Sequence, residues 1–345
     1  MKAIQLAAPR RLEAVELPLP PDPGPGEVMV KTRSVGVCGS DLHWYLDGRI
    51  GHRPCVFPLI LGHEPVAEIA AVGPGVPESR VGERVFVEPA MNCGRCEFCL
   101  GGNTNLCPHV RFLGSSPVDG LFREYGVVPA HNCIPAPEGL PDAVATLIEP
   151  LAVILHVVDL APIAVGATVA VLGAGPIGLL CVAVAKLSGA GRILACDKVP
   201  HRLEMARAAG ADVAVNNAAA SFRDAVMDET GGRGADVVLD AAAFTETINM
   251  GIAITRRGGR YVLVGLPTEK DLNIDLHTAM TNETRIVTIK RSNFENHAAM
   301  DLLRTGRVPG GIITHRVPLD RTPEIFDTLA NYRDGVGKVV IEVAR

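Results

Sequence analysis

The strand-like run Thr168–Leu172 ends in Gly173-Ala174-Gly175-Pro176-Ile177-Gly178 and passes into an apolar helical pattern over Pro176–Ser188. No other feature constrains the fold as much as this Gly-x-Gly-x-x-Gly turn between strand and helix. Gly173 permits a tight turn, Gly175 lets a pyrophosphate approach the backbone, and Gly178 lets the helix pack closely on the sheet. The helix start turns free N–H groups and the positive end of its dipole toward phosphates. With 36 glycines in the chain, the turn alone says little, and its context decides. The next strand-like run, Arg192–Cys196, leads to Asp197, 19 residues past Gly178. A carboxylate there accepts hydrogen bonds from ribose hydroxyls and repels a 2′-phosphate, which favours NAD over NADP. Arg202 follows on the next helix, placed to stack on adenine or to tolerate a 2′-phosphate, or else an ordinary solvated charge. Gly265 and Leu266 follow the fifth strand-like run, where the nicotinamide end is expected.

The surrounding pattern agrees. Strand-like runs at Val213–Val215, Asp236–Asp240 and Arg260–Val264 alternate with helical patterns at Pro200–Gly210, Phe222–Thr230 and Thr245–Thr255. Short apolar strands joined by helices imply a parallel, doubly wound sheet. The first 140 or so residues read differently. Runs such as Ala3–Leu6, Glu27–Val35, Val66–Val72, Arg84–Val87 and Phe122–Val128 sit between Pro- and Gly-rich loops, as in an irregular β-rich domain. The texture changes near Pro150. A chain of 345 residues accommodates two domains of roughly 150 residues.

Four of the nine cysteines are bunched as Cys93, Cys96, Cys99 and Cys107. In a reducing compartment such a bunch points to metal rather than disulfides. Four thiolates on one loop match a closed, structural zinc site; iron–sulfur ligation is the runner-up. The loop is rich in Gly and Asn and has little core of its own, so metal would supply its folding energy. Cys38, His63 and Glu149 are separately unremarkable, although Cys, His and carboxylate together suit a catalytic zinc with an open position.

The motifs GVCGSDLH (36–43), LGHE (61–64), the Cys93/96/99/107 loop, GAGPIG (173–178) and Asp197 together resemble the medium-chain zinc alcohol dehydrogenases over essentially the whole chain. GSDLHWYLDGRIG (39–51), LIEPLAVILH (147–156) and THRVPL (314–319) look most like the sorbitol, or polyol, branch. The resemblance implies an α/β protein with a GroES-like β-rich catalytic domain over 1–152 and 290–345 and a Rossmann domain over 153–289. It implies one structural zinc and one catalytic zinc, the latter held by Cys38, His63 and Glu64 with a water as fourth ligand. Glu149 stands where other branches place a cysteine ligand; it contacts the zinc-bound water or exchanges with Glu64. Ser40 and His43 match the proton relay. Arg291 matches an arginine of the water network, and Trp44 is expected either to wall the substrate pocket or to pack in the interior. Two positions depart from the branch: Trp44 and Ser292 stand where tyrosine is usual, which reshapes the pocket.

The implied reaction moves a hydride between a secondary alcohol of a polyol and NAD. Threonine dehydrogenases share GHE and the cysteine loop, but usually carry Thr at position 40 and Asp-Pro at 149–150. A non-catalytic zinc- and nucleotide-binding sensor would lack a ligand or relay residue, and all are present. A net charge of −5 argues against nucleic acid as a partner. The apolar stretches 143–160 and 167–187 are interrupted by Glu149, Pro150, Asp159, Gly173 and Pro176, so no membrane span is expected. No signal peptide is evident, which places the expected enzyme in the cytoplasm, and the family implies a homotetramer or homodimer.

Overall fold

The computed structural model describes residues 1–269, 271–308 and 310–343. The chain divides into two compact units. One comprises Met1–Glu149, Ala299–Gly306 and Ile313–Arg345, the other Pro150–Ala298 and Arg307–Ile312. Against the sequence expectation, the boundary falls at Pro150 and residues 290–298 lie with the second unit. Their anchor is local: Glu295 pairs with His156 Nδ1 at 2.9 Å, and both belong to that unit.

The first unit is built on a seven-stranded sheet. Its strands run in the order Cys133–Pro135, Arg84–Val87, Glu64–Val72, Glu27–Gly36, Lys338–Glu342 and Ile313–Pro318, and Tyr125–Pro129 also pairs with Glu27–Gly36. All pairings are antiparallel except that of Ile313–Pro318 with Lys338–Glu342. Alternation explains the strand: Val28, Val30, Thr32 and Ser34 are buried while Met29, Lys31 and Arg33 between them are less so. The core gathers Leu6, Val30, Ile69, Trp44, Phe122, Phe326 and Ile341. Phe326 packs edge-on against both Tyr45 and Phe122.

The second unit is a six-stranded, all-parallel sheet. Its order is Val213–Asn216, Arg192–Asp197, Thr168–Leu172, Ala235–Asp240, Thr255–Leu263 and Arg285–Thr288. Numbered along the chain this is 3-2-1-4-5-6, the doubly wound order in which a dinucleotide lies outside the strand ends at the reversal point. Val169, Ala170, Val171 and Leu172 are fully buried, as a strand covered on both faces requires. Five of the six strands were expected. The sixth, Arg285–Thr288, is short and largely exposed and carries no apolar run.

Among the described residues one helical stretch, Asp142–Leu160, is long and apolar enough to cross a membrane, and 67% of its most apolar window is buried. That burial makes it a core helix. Within it, Glu149 stands in the first turn of helix Ile148–Leu160.

Candidate active site

Strand Glu27–Gly36 delivers Cys38 to the start of helix Gly39–Asp47, where Cys38 is the N-cap residue. Its N–H donates to Asp41 Oδ2 at 3.0 Å. The other oxygen of Asp41 accepts from Gly62 N–H at 3.2 Å and lies 3.4 Å from His63 Nδ1. A fully buried aspartate thus ties the Cys38 turn to the loop carrying His63. Gly62 sits at φ +94°, and a Cβ there would come within 2.6 Å of the Phe122 ring. Only glycine both adopts that conformation and fits the space. Ser40 Oγ lies 3.4 Å from His63 Nε2.

The ligand atoms of Cys38, His63 and Glu64 all lie within 4.8 Å of one another, a group to which Glu149 does not belong. His63 and Glu64 are buried. His63 Nδ1 is too poorly aligned with Asp41 for a hydrogen bond, and Glu64 Oε1 also has none. Burial works against a protonated His63, yet Asp41 and Cys38 hold its pKa well above the ordinary value. The surroundings favour positive charge at this point. A thiol, an imidazole and a carboxyl group meeting at one largely buried point, with polar atoms lacking partners, fit zinc.

Glu149 is 7% exposed, and its carboxyl is pushed up to about 8, first by burial, which outweighs His63 and is reinforced by Glu64. His43 has its pKa lowered by burial, against a weaker pull from Asp47, which keeps the ring neutral at neutral pH. Trp44 is 1% exposed and belongs to the hydrophobic core of the first unit. Of the two expected roles, its packing in the core is what the burial describes. Arg291 lies in the second unit in a left-handed conformation, φ +59°.

Two contributors went unread in the sequence. Asp41 was visible inside GVCGSDLH, but its role needs the Gly62 contact to be seen. Lys338 had no local signal. Its ammonium contacts Glu64 Oε2 and donates to Val37 O at 2.9 Å, and the side chain is 2% exposed.

The cysteine loop closes on itself. Cys93 and Cys107 sulfurs lie 3.6 Å apart, Cys96 and Cys107 3.9 Å, and Cys93 and Cys99 4.0 Å. A tetrahedral zinc with Zn–S near 2.3 Å places its sulfurs about 3.8 Å apart, so the four thiols fit the ion. The Cys93 thiol is lowered to about 6, chiefly by the Arg95 backbone N–H, while burial pushes Cys99 up to about 12.

At the dinucleotide turn, Gly173 has φ +87° and a Cβ on Gly178 would sit 1.8 Å from the Gly173 carbonyl oxygen. The helix Pro176–Leu187 therefore starts against the turn at glycine distance. Asp197 Oδ2 accepts from Ala174 N–H at 2.8 Å and Oδ1 from Val199 N–H at 2.9 Å. The carboxylate is held in place by backbone and retains lone pairs for further donors. Arg202 lies 3.8 Å from it, and its guanidinium borders the position of a Gly175 Cβ. Gly265 is packed against Ala241 and Ala243, leaving no room for a side chain, and Leu266 beside it is exposed.

Residues 24–138 match the alcohol dehydrogenase GroES-like domain, and residues 176–305 the zinc-binding dehydrogenase domain. Sorbitol dehydrogenase of Bacillus subtilis (strain 168) is 37% identical over 342 residues, 99% of this chain and 97% of the relative. The chain belongs to the polyol branch of the medium-chain zinc alcohol dehydrogenases. A probable D-xylulose reductase A of Aspergillus clavatus is 37% identical over 84% of this chain and 82% of its own length. Among solved structures, an alcohol dehydrogenase of Escherichia coli CFT073 in complex with NADH superimposes with TM-score 0.89 at 32% identity, covering 99% of both chains. In this dehydrogenase, the candidate metal ligands and the glycine turn thus lie in different units.

Proposed function

We propose that the enzyme oxidises a secondary alcohol of a polyol to the ketose with NAD, and reduces the ketose in the reverse direction. The observation that carries this reading is the buried meeting of Cys38, His63 and Glu64 in a chain that also has the Asp197-backed glycine turn. When bound, zinc supplies Lewis acidity to the substrate hydroxyl and NAD accepts the hydride.

The chain's own residues do the rest. Cys38, His63 and Glu64 hold the metal, and the Asp41 carboxylate, 3.4 Å from His63 Nδ1, backs the ring electrostatically. Glu149, a buried carboxyl beside the cluster, borders the substrate position. Ser40 Oγ hands the substrate proton onward, and neutral His43 receives it. Gly173, Gly175, Pro176, Ile177 and Gly178 cradle the pyrophosphate on the helix start. Asp197 takes the adenosine ribose hydroxyls, Arg202 flanks the adenine, and Gly265 and Leu266 border the nicotinamide. Arg291 contributes to polyol binding. The cysteine loop holds a second, structural zinc, and the working form is a homotetramer or homodimer, to be weighed by light scattering.

The test is NADH absorbance with a panel of polyols, simple secondary alcohols and threonine, ranked by kcat/KM, with NADP in parallel. Sorbitol- or xylitol-like substrates with NAD are expected to rank first. Threonine at the top would move the chain to another branch, and no reduction of NAD by any alcohol at full zinc loading would defeat the enzyme reading.

A further inference from the structure

Lysine is rarely buried, because an ammonium removed from water is costly unless paired and hydrogen-bonded. Lys338 is 2% exposed and its partner Glu64 is 0% exposed. Such a pair contributes little to stability by itself, so its position has to be explained by something else.

The sheet is arranged for it. Glu64 lies opposite Gly36 on the neighbouring strand, and Gly36 lies opposite Val340 on the next. Lys338, two residues before Val340, points to the same face. A Cβ at Gly36 would come within 2.0 Å of Glu64 Oε2 and 3.1 Å of Lys338 Cε. Glycine at the centre of this three-strand row leaves the gap in which carboxylate and ammonium meet. The ammonium also donates to the Val37 carbonyl, in the peptide just before Cys38. It therefore grips the chain segments that carry two of the three proposed metal ligands, from a strand about three hundred residues further on.

We propose that Lys338 is a positioning residue of the zinc site, holding Glu64 by one carboxylate oxygen and offsetting its charge so that the metal remains electrophilic. The inference rests on the assignment of Cys38, His63 and Glu64 as zinc ligands. With Oε2 engaged by Lys338, Glu64 has Oε1 to offer. The positive charge of Lys338 opposes the cation, so zinc is held less tightly than the bare donor set would hold it. Fewer uncompensated negative charges around zinc mean stronger polarisation of whatever it binds.

The experiment compares Lys338→Met, Lys338→Gln and Lys338→Arg in the full-length, zinc-loaded enzyme. Zinc release is followed with a chromogenic chelator, and kcat and KM are measured per bound zinc. Loss of the charge is expected to tighten the more labile zinc by about tenfold or more, since a unit charge a few ångströms away weighs at least that much. In the same variants kcat is expected to fall by about tenfold with KM for NAD unchanged, since polarisation serves the transition state and not cofactor binding. Lys338→Arg restores both, and the cysteine-bound zinc is unaffected. Lys338→Gln removes the charge but keeps a polar side chain beside Glu64, which preserves a folded variant should the methionine form fail. Weaker or unchanged zinc binding with normal kcat per bound zinc, in either neutral variant, overturns the proposal. Retention of the labile zinc in Cys38→Ser would instead overturn the ligand assignment on which it rests.

Discussion

The two candidate metal sites of the first unit differ in how the chain makes them. The cysteine loop draws all four thiols from within 15 consecutive positions, 93–107, and three of its sulfur pairs already stand 3.6–4.0 Å apart. The other site draws Cys38 from a strand end, His63 from a loop, Glu64 from the next strand and Glu149 from a helix start, with Lys338 behind Glu64. The first depends on local spacing, with metal supplying the folding energy of a loop that has few buried residues. The second depends on sheet register, so a fully buried core must form before the ligands meet. A local site can be lost without losing the fold, whereas a distributed one fails whenever the register or the space between strands fails.

The largest expected effect comes from removing a ligand of the distributed site. Cys38→Ser or His63→Ala should lower kcat/KM by roughly a thousandfold or more, because metal polarisation is worth several kcal/mol. Metal analysis should still find one zinc per chain, in the cysteine loop; loss of both would erase the distinction between the sites. Next is Gly36→Ala, whose methyl would intrude on Glu64 Oε2. Overpacking costs of about 1–3 kcal/mol predict roughly ten- to hundredfold weaker catalytic zinc binding with the cysteine zinc retained. Equal zinc affinity would mean the Glu64–Lys338 gap is not needed. In the local site, Cys107→Ser removes a buried sulfur. It should release the structural zinc and lower Tm, while enzyme assayed cold keeps its activity to within about tenfold.

The smallest effect concerns Asp142, which accepts from Arg33 at 2.7 Å and from Arg84 at 2.6 Å. Burial alone would raise its pKa, but the two guanidiniums outweigh it and the carboxyl stays below its usual range. A folded pKa below the unfolded value stabilises above the unfolded pKa and is lost as pH falls through the folded one. Asp142→Asn should therefore cost about 1 kcal/mol near pH 7, after allowance for solvent screening. The gap to the parent in urea melts should close below about pH 4.

Legibility followed the same divide. The glycine turn, Asp197 and the cysteine loop were readable because their physics is local: a left-handed φ at Gly173, a strand end at Asp197, and thiols on one short loop. Five of the parallel strands were readable because burial on both faces forces continuous apolar runs; Arg285–Thr288 was not, because its residues are mostly exposed. Cys38, His63 and Glu64 became a candidate site only through family resemblance, since nothing in residue order reveals that Glu64 lies opposite Gly36. Asp41 and Lys338 were missed because their roles consist of contacts with segments distant in the sequence, Asp41 with Gly62 and Lys338 with Val37 and Glu64. Trp44 was read from its neighbour His43, yet helix geometry turns it into the core.

The strand Lys338–Glu342 lies between Glu27–Gly36 and Ile313–Pro318, inside the sheet that carries Cys38 and Glu64. Synthesis runs from the N-terminus, and domains fold as units as they emerge. The second unit, apart from its short return at Arg307–Ile312, is therefore fully translated while the first still lacks an internal strand. The proposed metal ligands, made earliest, must wait, unfinished, for a strand about three hundred residues later. A ribosome paused before position 338 should display a nascent protein whose nucleotide-binding half is protease-resistant while its metal-binding half is still cleaved.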